Sequence, residues 1–164
     1  MIAANIRKAA LHIVKDFTAR KLTIATAESC TGGLVGGALT EIAGSSAVVL
    51  CGFITYSNEA KHRMLGVPLD TLNQFGAVSR QTALAMAQGA LKNSDASVSI
   101  SITGIAGPGG GSAEKPVGLV HFAAAKRGGK EIAREIRFGD IGRSAVRERS
   151  VLVALEMLTE IAAA

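Results

Sequence analysis

With 164 residues and a mass of 16.8 kDa, the chain has the length of one ordinary domain, residues 1–164. Its 48% of hydrophobic residues can fill a core, and area scaling puts the folded surface at roughly 7,700 Å²; a charged fraction of 19% and a mean hydropathy of +0.32 exclude intrinsic disorder. The net charge of +5 permits an anionic partner, but the 18 basic residues are scattered, so a small phosphorylated molecule accounts for the balance better than a nucleic acid.

Residues 2–20 place Ile6, Ala9, Ala10, Ile13, Val14 and Phe17 at helical spacing, which predicts an opening helix. The apolar run from Leu22 to Ala27 reads as a buried strand. It ends in the segment Glu28-Ser29-Cys30-Thr31-Gly32-Gly33, and a helix follows through Leu34, Val35, Ala38, Leu39 and Ile42, closed by Gly44. A second strand is predicted over Ala47 to Thr55 and a helix over Asn58 to Leu65. Pro68 and Asp70 open a short helical turn before Phe75-Gly76, and Ser79 is a suitable N-cap for a helix ending near Lys92.

A third strand, Ala96 to Thr103, runs into a glycine loop. Two β-rich runs, Val117–Ala125 and Glu131–Phe138, flank Arg127-Gly128-Gly129-Lys130 and predict an antiparallel hairpin. The closing segment, Arg143 to Ala162, is an amphipathic helix. Helices between the first strands imply parallel crossovers. The expected fold is therefore α/β: three layers, α/β/α, around a mixed, mostly parallel sheet with an antiparallel hairpin.

Cys30 and Cys51 form no C-x-x-C motif, and no run approaches 18 uninterrupted apolar residues. The opening residues lack a secretory apolar region. A cytoplasmic protein without a membrane partner is expected. Aromatic residues are 4%, with no Trp, too few for a stacking platform on single-stranded nucleic acid. The aliphatic, alanine-rich helices are suited to packing a homodimer.

Four segments could carry chemistry. At the first strand–turn–helix junction, Ser29 or Thr31 could cap the helix while the glycines allow tight packing. The same place would also present a nucleophile beside free N–H groups that favour an oxyanion or a phosphate. Ser29 and Cys30 are both candidates there, since a helix N-terminus lowers thiol pKa values. In Tyr56-Ser57-Asn58-Glu59-Ala60-Lys61, a Ser57 N-cap makes Tyr56 and Lys61 the two ends of a hydrophobic staple. Lys61 would then be either a solvated lysine or a base. Bringing an amine from about 10.4 to about 7.5 takes roughly 4 kcal/mol of desolvation or cationic neighbours.

Thr103-Gly104-Ile105-Ala106-Gly107-Pro108-Gly109-Gly110-Gly111 follows a strand, as phosphate loops do. It lacks the lysine–serine ending of a triphosphate loop, and Ser112 stands where a dinucleotide fingerprint needs glycine. It is either a mobile surface loop or a backbone that approaches a ligand. Arg143 and Arg147 lie at i and i+4 on one helix face, fit to hold a phosphate, although Glu148 also suits a solvated surface. His12, His62 and His121 show no ligand spacing, so neither a metal nor another cofactor is expected.

Taken together, TIATAESCTGG, GSSAVVLCGFITYSNEAKHRMLGV, GAVSRQTALAMAQGAL, SISITGIAGPGGGSAEKPVGLVHFA and FGDIGRSAVRERSV closely resemble the CinA C-terminal-domain family, the nicotinamide-nucleotide amidohydrolases. The resemblance covers roughly residues 5–160 and looks like the stand-alone form, without the N-terminal domain of longer relatives. It implies hydrolysis of the carboxamide of nicotinamide mononucleotide to nicotinate mononucleotide and ammonia, within pyridine nucleotide salvage. It implies Ser29 as nucleophile, paired with Lys61 and Tyr56. Substrate contacts are implied for Cys30, Thr31, Gly32, Gly33, Thr103, Gly104, Ile105, Ala106, Gly107, Arg143 and Arg147. One departure is visible: relatives usually read G-D-R where this chain has Gly139-Asp140-Ile141-Gly142-Arg143, which leaves the roles of Asp140 and Arg143 open. A noncatalytic nucleotide-binding module is the alternative reading of the same loops. A DNA-associated competence factor is disfavoured, because no groove-reading helix or basic stripe is visible.

Overall fold

The computed structural model describes residues 2–164. Its elements are α1 (Ala4–Arg20), β1 (Ile24–Glu28), α2 (Leu34–Thr40), β2 (Val49–Ile54), α3 (Asn58–Leu65), α4 (Leu69–Phe75), α5 (Arg80–Lys92), β3 (Val98–Gly104), β4 (Leu119–Lys126), β5 (Glu131–Arg137) and α6 (Arg143–Ala163). The five strands form one sheet in the order β2-β1-β3-β4-β5. β1 is parallel to both its neighbours, while β3–β4 and β4–β5 are antiparallel. Only β4 therefore runs against the other strands, and the expected mixed α/β/α fold is the one observed. The accessible surface of 7828 Å² agrees with the area expected from mass alone.

The alternation of side chains along the strands decides which helices lie where. Val98, Ile100 and Ile102 of β3 point to one face with Val120 and Phe122 of β4, and there α1, α2 and α6 bury Ile13, Phe17, Leu39, Leu155 and Leu158. The opposite face carries small residues, Ala25 and Ala27 of β1 and Ala123 and Ala125 of β4, under Ala83, Met86, Ala87 and Ala90 of α5. Small side chains let α5 come close enough for hydroxyls on β3 to reach its backbone. Ser101 donates to the Ala83 carbonyl at 2.6 Å and Ser99 to the Ala87 carbonyl at 2.7 Å. Two buried serines are thus satisfied within the layer.

Two boundaries differ from expectation. The turn after Pro68 is a seven-residue helix, α4, because Leu72 is buried with the α5 layer. Gly44 does not close α2, which ends at Thr40; it opens a 3₁₀ turn over Ser45–Ala47 with φ +89°. Among the described residues, no helix is long and apolar enough to cross a membrane.

Candidate active site

β1, β2 and β3 all end at the same edge of the sheet, the edge where open α/β folds hold their ligands. β1 continues into Ser29, whose N–H donates to the Ile102 carbonyl of β3 at 2.9 Å. On the other side the Thr55 N–H donates to the Glu28 carbonyl at 2.9 Å. Ser29 is therefore gripped by both neighbouring strands.

The turn behind it is organised by a carboxylate. Glu28 is 1% exposed, and it accepts from the Thr31 hydroxyl at 2.6 Å and from the N–H groups of Val35 and Gly36 at 2.9 and 3.1 Å. Those two amides belong to the first turn of α2, where donors have no partner inside the helix. Glu28 thus ties the end of β1 to the start of α2, and the chain between them, with Gly32 and Gly33 at φ +57° and +103°, must turn sharply over Ser29. The Gly32 N–H is spent on the Ser29 carbonyl at 3.0 Å.

Ser57 caps α3 by accepting from the Ala60 N–H at 3.0 Å, which sets the helix phase so that Lys61 turns inward. Its amine lies 3.0 Å from the Ser29 hydroxyl oxygen, 2.9 Å from the Thr55 carbonyl and 3.4 Å from the Tyr56 carbonyl. Lys61 is 1% exposed, and no carboxylate is among its hydrogen-bond partners. Burial lowers its pKa below the ordinary lysine range. In the neutral amine two N–H bonds can go to the two carbonyls while the lone pair accepts the Ser29 proton.

Tyr56 behaves otherwise than a staple with Lys61 predicts. The residue is 62% exposed, and its phenol oxygen accepts from Arg143 at 3.0 Å; it meets the lysine amine only through its backbone carbonyl. Cys30 is buried, and burial pushes its thiol up to about 12, which disfavours a thiolate there.

The Ser29–Lys61 pair opens into a cleft of about 260 Å³, lined by Cys30, Tyr56, Ala77, Val78, Thr103 to Gly107, Gly109, Gly110 and Arg143. Thr103 donates its hydroxyl to the Ala77 carbonyl at 2.8 Å. Arg143 begins α6 and reaches across the mouth, donating to the Gly107 carbonyl at 2.8 Å. The unusual segment before it is absorbed by two glycines of positive φ, Gly139 at +83° and Gly142 at +99°, so Arg143 still faces the cleft, whereas Asp140 does not line it.

Thr31, Gly32, Gly33 and Arg147 do not line the cleft. The Arg147 guanidinium turns to the serine turn itself, donating to the Cys30 carbonyl at 3.1 Å and the Thr31 carbonyl at 3.3 Å. Two of its N–H groups are thus engaged with backbone, and the side chain stays outside the cleft that Arg143 lines. Ala77, Val78 and the buried Glu28 were not singled out from sequence. The first two contribute backbone and methyl groups, for which no sequence signal exists; Glu28 could have been found as the only acidic residue in a segment that must bury its strand end. Among the described residues, no group of three His, Cys, Asp or Glu side chains could hold a metal ion. His62 contacts the Val67 carbonyl at 2.8 Å, and His121 faces Glu135 at 3.5 Å.

Residues 6–162 match the family model of the CinA C-terminal domain. The chain belongs to the CinA C-terminal domain family. This CinA domain is 55% identical over 159 residues to the nicotinamide-nucleotide amidohydrolase PncC of Escherichia coli (strain K12), covering 96% of this chain and 95% of that protein. It is 53% identical over 137 residues to a CinA-like protein of Mycobacterium sp. (strain JLS), covering 83% of this chain but 32% of that longer protein. Among solved structures, the competence/damage inducible protein CihA from Agrobacterium tumefaciens superposes with a TM-score of 0.97 at 59% identity, covering 98% of both chains.

Proposed function

We propose that this CinA domain is an amidohydrolase that converts nicotinamide mononucleotide to nicotinate mononucleotide and ammonia through a seryl acyl-enzyme, within one domain spanning residues 1–164. The observation that carries the reading is the 3.0 Å contact between the Ser29 hydroxyl and a buried amine whose pKa burial lowers. The activity printed in the name of the E. coli relative at 55% identity supports the substrate.

The neutral Lys61 amine takes the Ser29 proton as the oxygen attacks the carboxamide carbon. Negative charge moves to the carbonyl oxygen, and the N–H of Cys30, the residue following the nucleophile, is the donor assigned to it. The C–N bond then breaks, and the proton on Lys61 passes to the departing nitrogen, which leaves as ammonia. A water attacks the ester carbon and gives its proton to Lys61; that proton returns to the Ser29 oxygen as nicotinate mononucleotide departs. The substrate's cationic pyridinium withdraws electrons from the amide and disfavours a charged Lys61. Arg143 at the mouth is the cation assigned to the phosphate.

Two variants test the assignment by ammonia release from nicotinamide mononucleotide. Ser29→Ala is expected to lower turnover by at least about 10³-fold, and Cys30→Ala to leave most of it. Near-full activity in Ser29→Ala together with an inactive Cys30→Ala would reverse the nucleophile.

A further inference from the structure

Two largely irregular pieces of chain line part of the cleft. One is the connection from α4 to α5, residues 75–78. Its first three carbonyls are each held by a side chain: Phe75 by the Lys115 amine at 2.6 Å, Gly76 by the hydroxyls of Thr82 at 2.6 Å and Ser79 at 3.2 Å, and Ala77 by Thr103 at 2.8 Å. The other is the glycine loop, in which five of the eight residues from 104 to 111 are glycine.

Such a loop loses much conformational entropy when fixed. Over residues 106–111 its only hydrogen bond to the rest of the described chain is the one Arg143 makes to the Gly107 carbonyl. The loop is gathered again at a tight turn, where Ser112 N–H donates to the Lys115 carbonyl at 2.8 Å and Lys115 N–H to the Ser112 hydroxyl at 3.1 Å. From that turn the half-buried Lys115 side chain crosses to the C-terminal carbonyl of α4, an acceptor without an intrahelical partner. The crossing also constrains its neighbour: a Cβ at Gly76, which has φ +79°, would sit 2.9 Å from the Lys115 amine.

We propose that Lys115 is a positioning residue that latches the glycine loop to the 75–78 wall and thereby sets how tightly the cleft holds its ligand. Lys115 does not line the cleft, so it acts through the loop. Ser29 and Lys61 are fixed by β1 and α3, independently of the latch. Losing it leaves the reacting pair in place and makes ligand binding bear the ordering of the loop, which raises KM and spares kcat. The kinetic half of the inference rests on the amidohydrolase reading; the structural half does not.

The experiment compares Lys115→Met, which keeps the aliphatic stem, with Lys115→Arg, which restores a donor. In the free protein, the backbone amides of Ser112 and Gly118, which donate to the Lys115 and Ile105 carbonyls and so gather the end of the loop, should exchange with deuterium about tenfold faster in Lys115→Met, with exchange in β3 unchanged. With nicotinamide mononucleotide, KM should rise about tenfold while kcat stays within about twofold, and Lys115→Arg should recover most of the loss. Unchanged exchange at Ser112 and Gly118, a fall in kcat without a change in KM, or an Arg variant no better than Met overturns the latch. A wild-type protein that releases no ammonia overturns the functional reading instead, and the exchange comparison then decides the latch alone.

Discussion

A lysine buried to 1% exposure without a carboxylate partner must either bear the cost of a desolvated charge or release its proton. Lys61 is held by two carbonyls, which accept from the amine in either state, and by one hydroxyl, which can reverse its role from acceptor to donor. The neutral form is the one that can act as base. Because burial lowers its pKa, kcat/KM should rise with pH through that lowered value and level off below the range of an ordinary lysine. Activity is lost on the acid side as the amine takes up a proton. A pH–rate series on wild type and Lys61→Arg checks this, since a guanidinium cannot be deprotonated in the accessible range. An acid limb that survives in the arginine variant with its midpoint unmoved removes Lys61 as the base.

At the scale of elements, the approach of α3 to α5 is set by one position. Gly89 lies inside α5, where helix propensity alone would favour alanine by about 1 kcal/mol. An added Cβ, however, would stand 2.0 Å from the Leu65 carbonyl oxygen at the end of α3 and 2.8 Å from its carbon. Those are backbone atoms, so relief requires the helices to part, and overpacking of this kind costs about 1–3 kcal/mol. Gly89→Ala should therefore destabilise the protein in urea unfolding, against its propensity, and should reduce turnover because α3 carries Lys61. A midpoint equal to or above that of wild type would contradict the close approach.

The same scale shows what could be read before folding. Element order, the mixed sheet and the four segments that reach the cleft were legible because apolar periodicity, caps and glycine turns act locally. Side-chain destination was not. The staple rule brings Tyr56 and Lys61 together at the surface, but the pull of Ser29 and two free carbonyls turns the lysine in while the phenol stays out. Arg143 and Arg147 share a helix face, yet one meets the cleft and the other the carbonyls of the serine turn, a difference fixed by where β1 ends. Lys115 sits in a loop whose partner, the Phe75 carbonyl, is 40 residues away and leaves no trace in the pattern.

For the whole molecule, the buried amine is a site-specific cost carried by global stability. The unfolded chain holds Lys61 at an ordinary value near 10.4, whereas the folded state holds it lower. Between those two values the unfolded state binds more protons, so stability rises with pH through the window. Below the folded value both states are charged and the cost is present in full; above the unfolded value both are neutral and it vanishes. Replacing Lys61 by methionine removes the titration while keeping the volume, although it leaves the Thr55 carbonyl with one donor fewer. That second loss does not depend on pH. The difference in unfolding free energy between Lys61→Met and wild type, measured in denaturant at successive pH values, should therefore move in favour of wild type as the solution is made alkaline. If the difference stays constant from neutral pH to beyond the ordinary lysine value, the amine titrates alike in both states, and the folded site exerts no pressure on its charge.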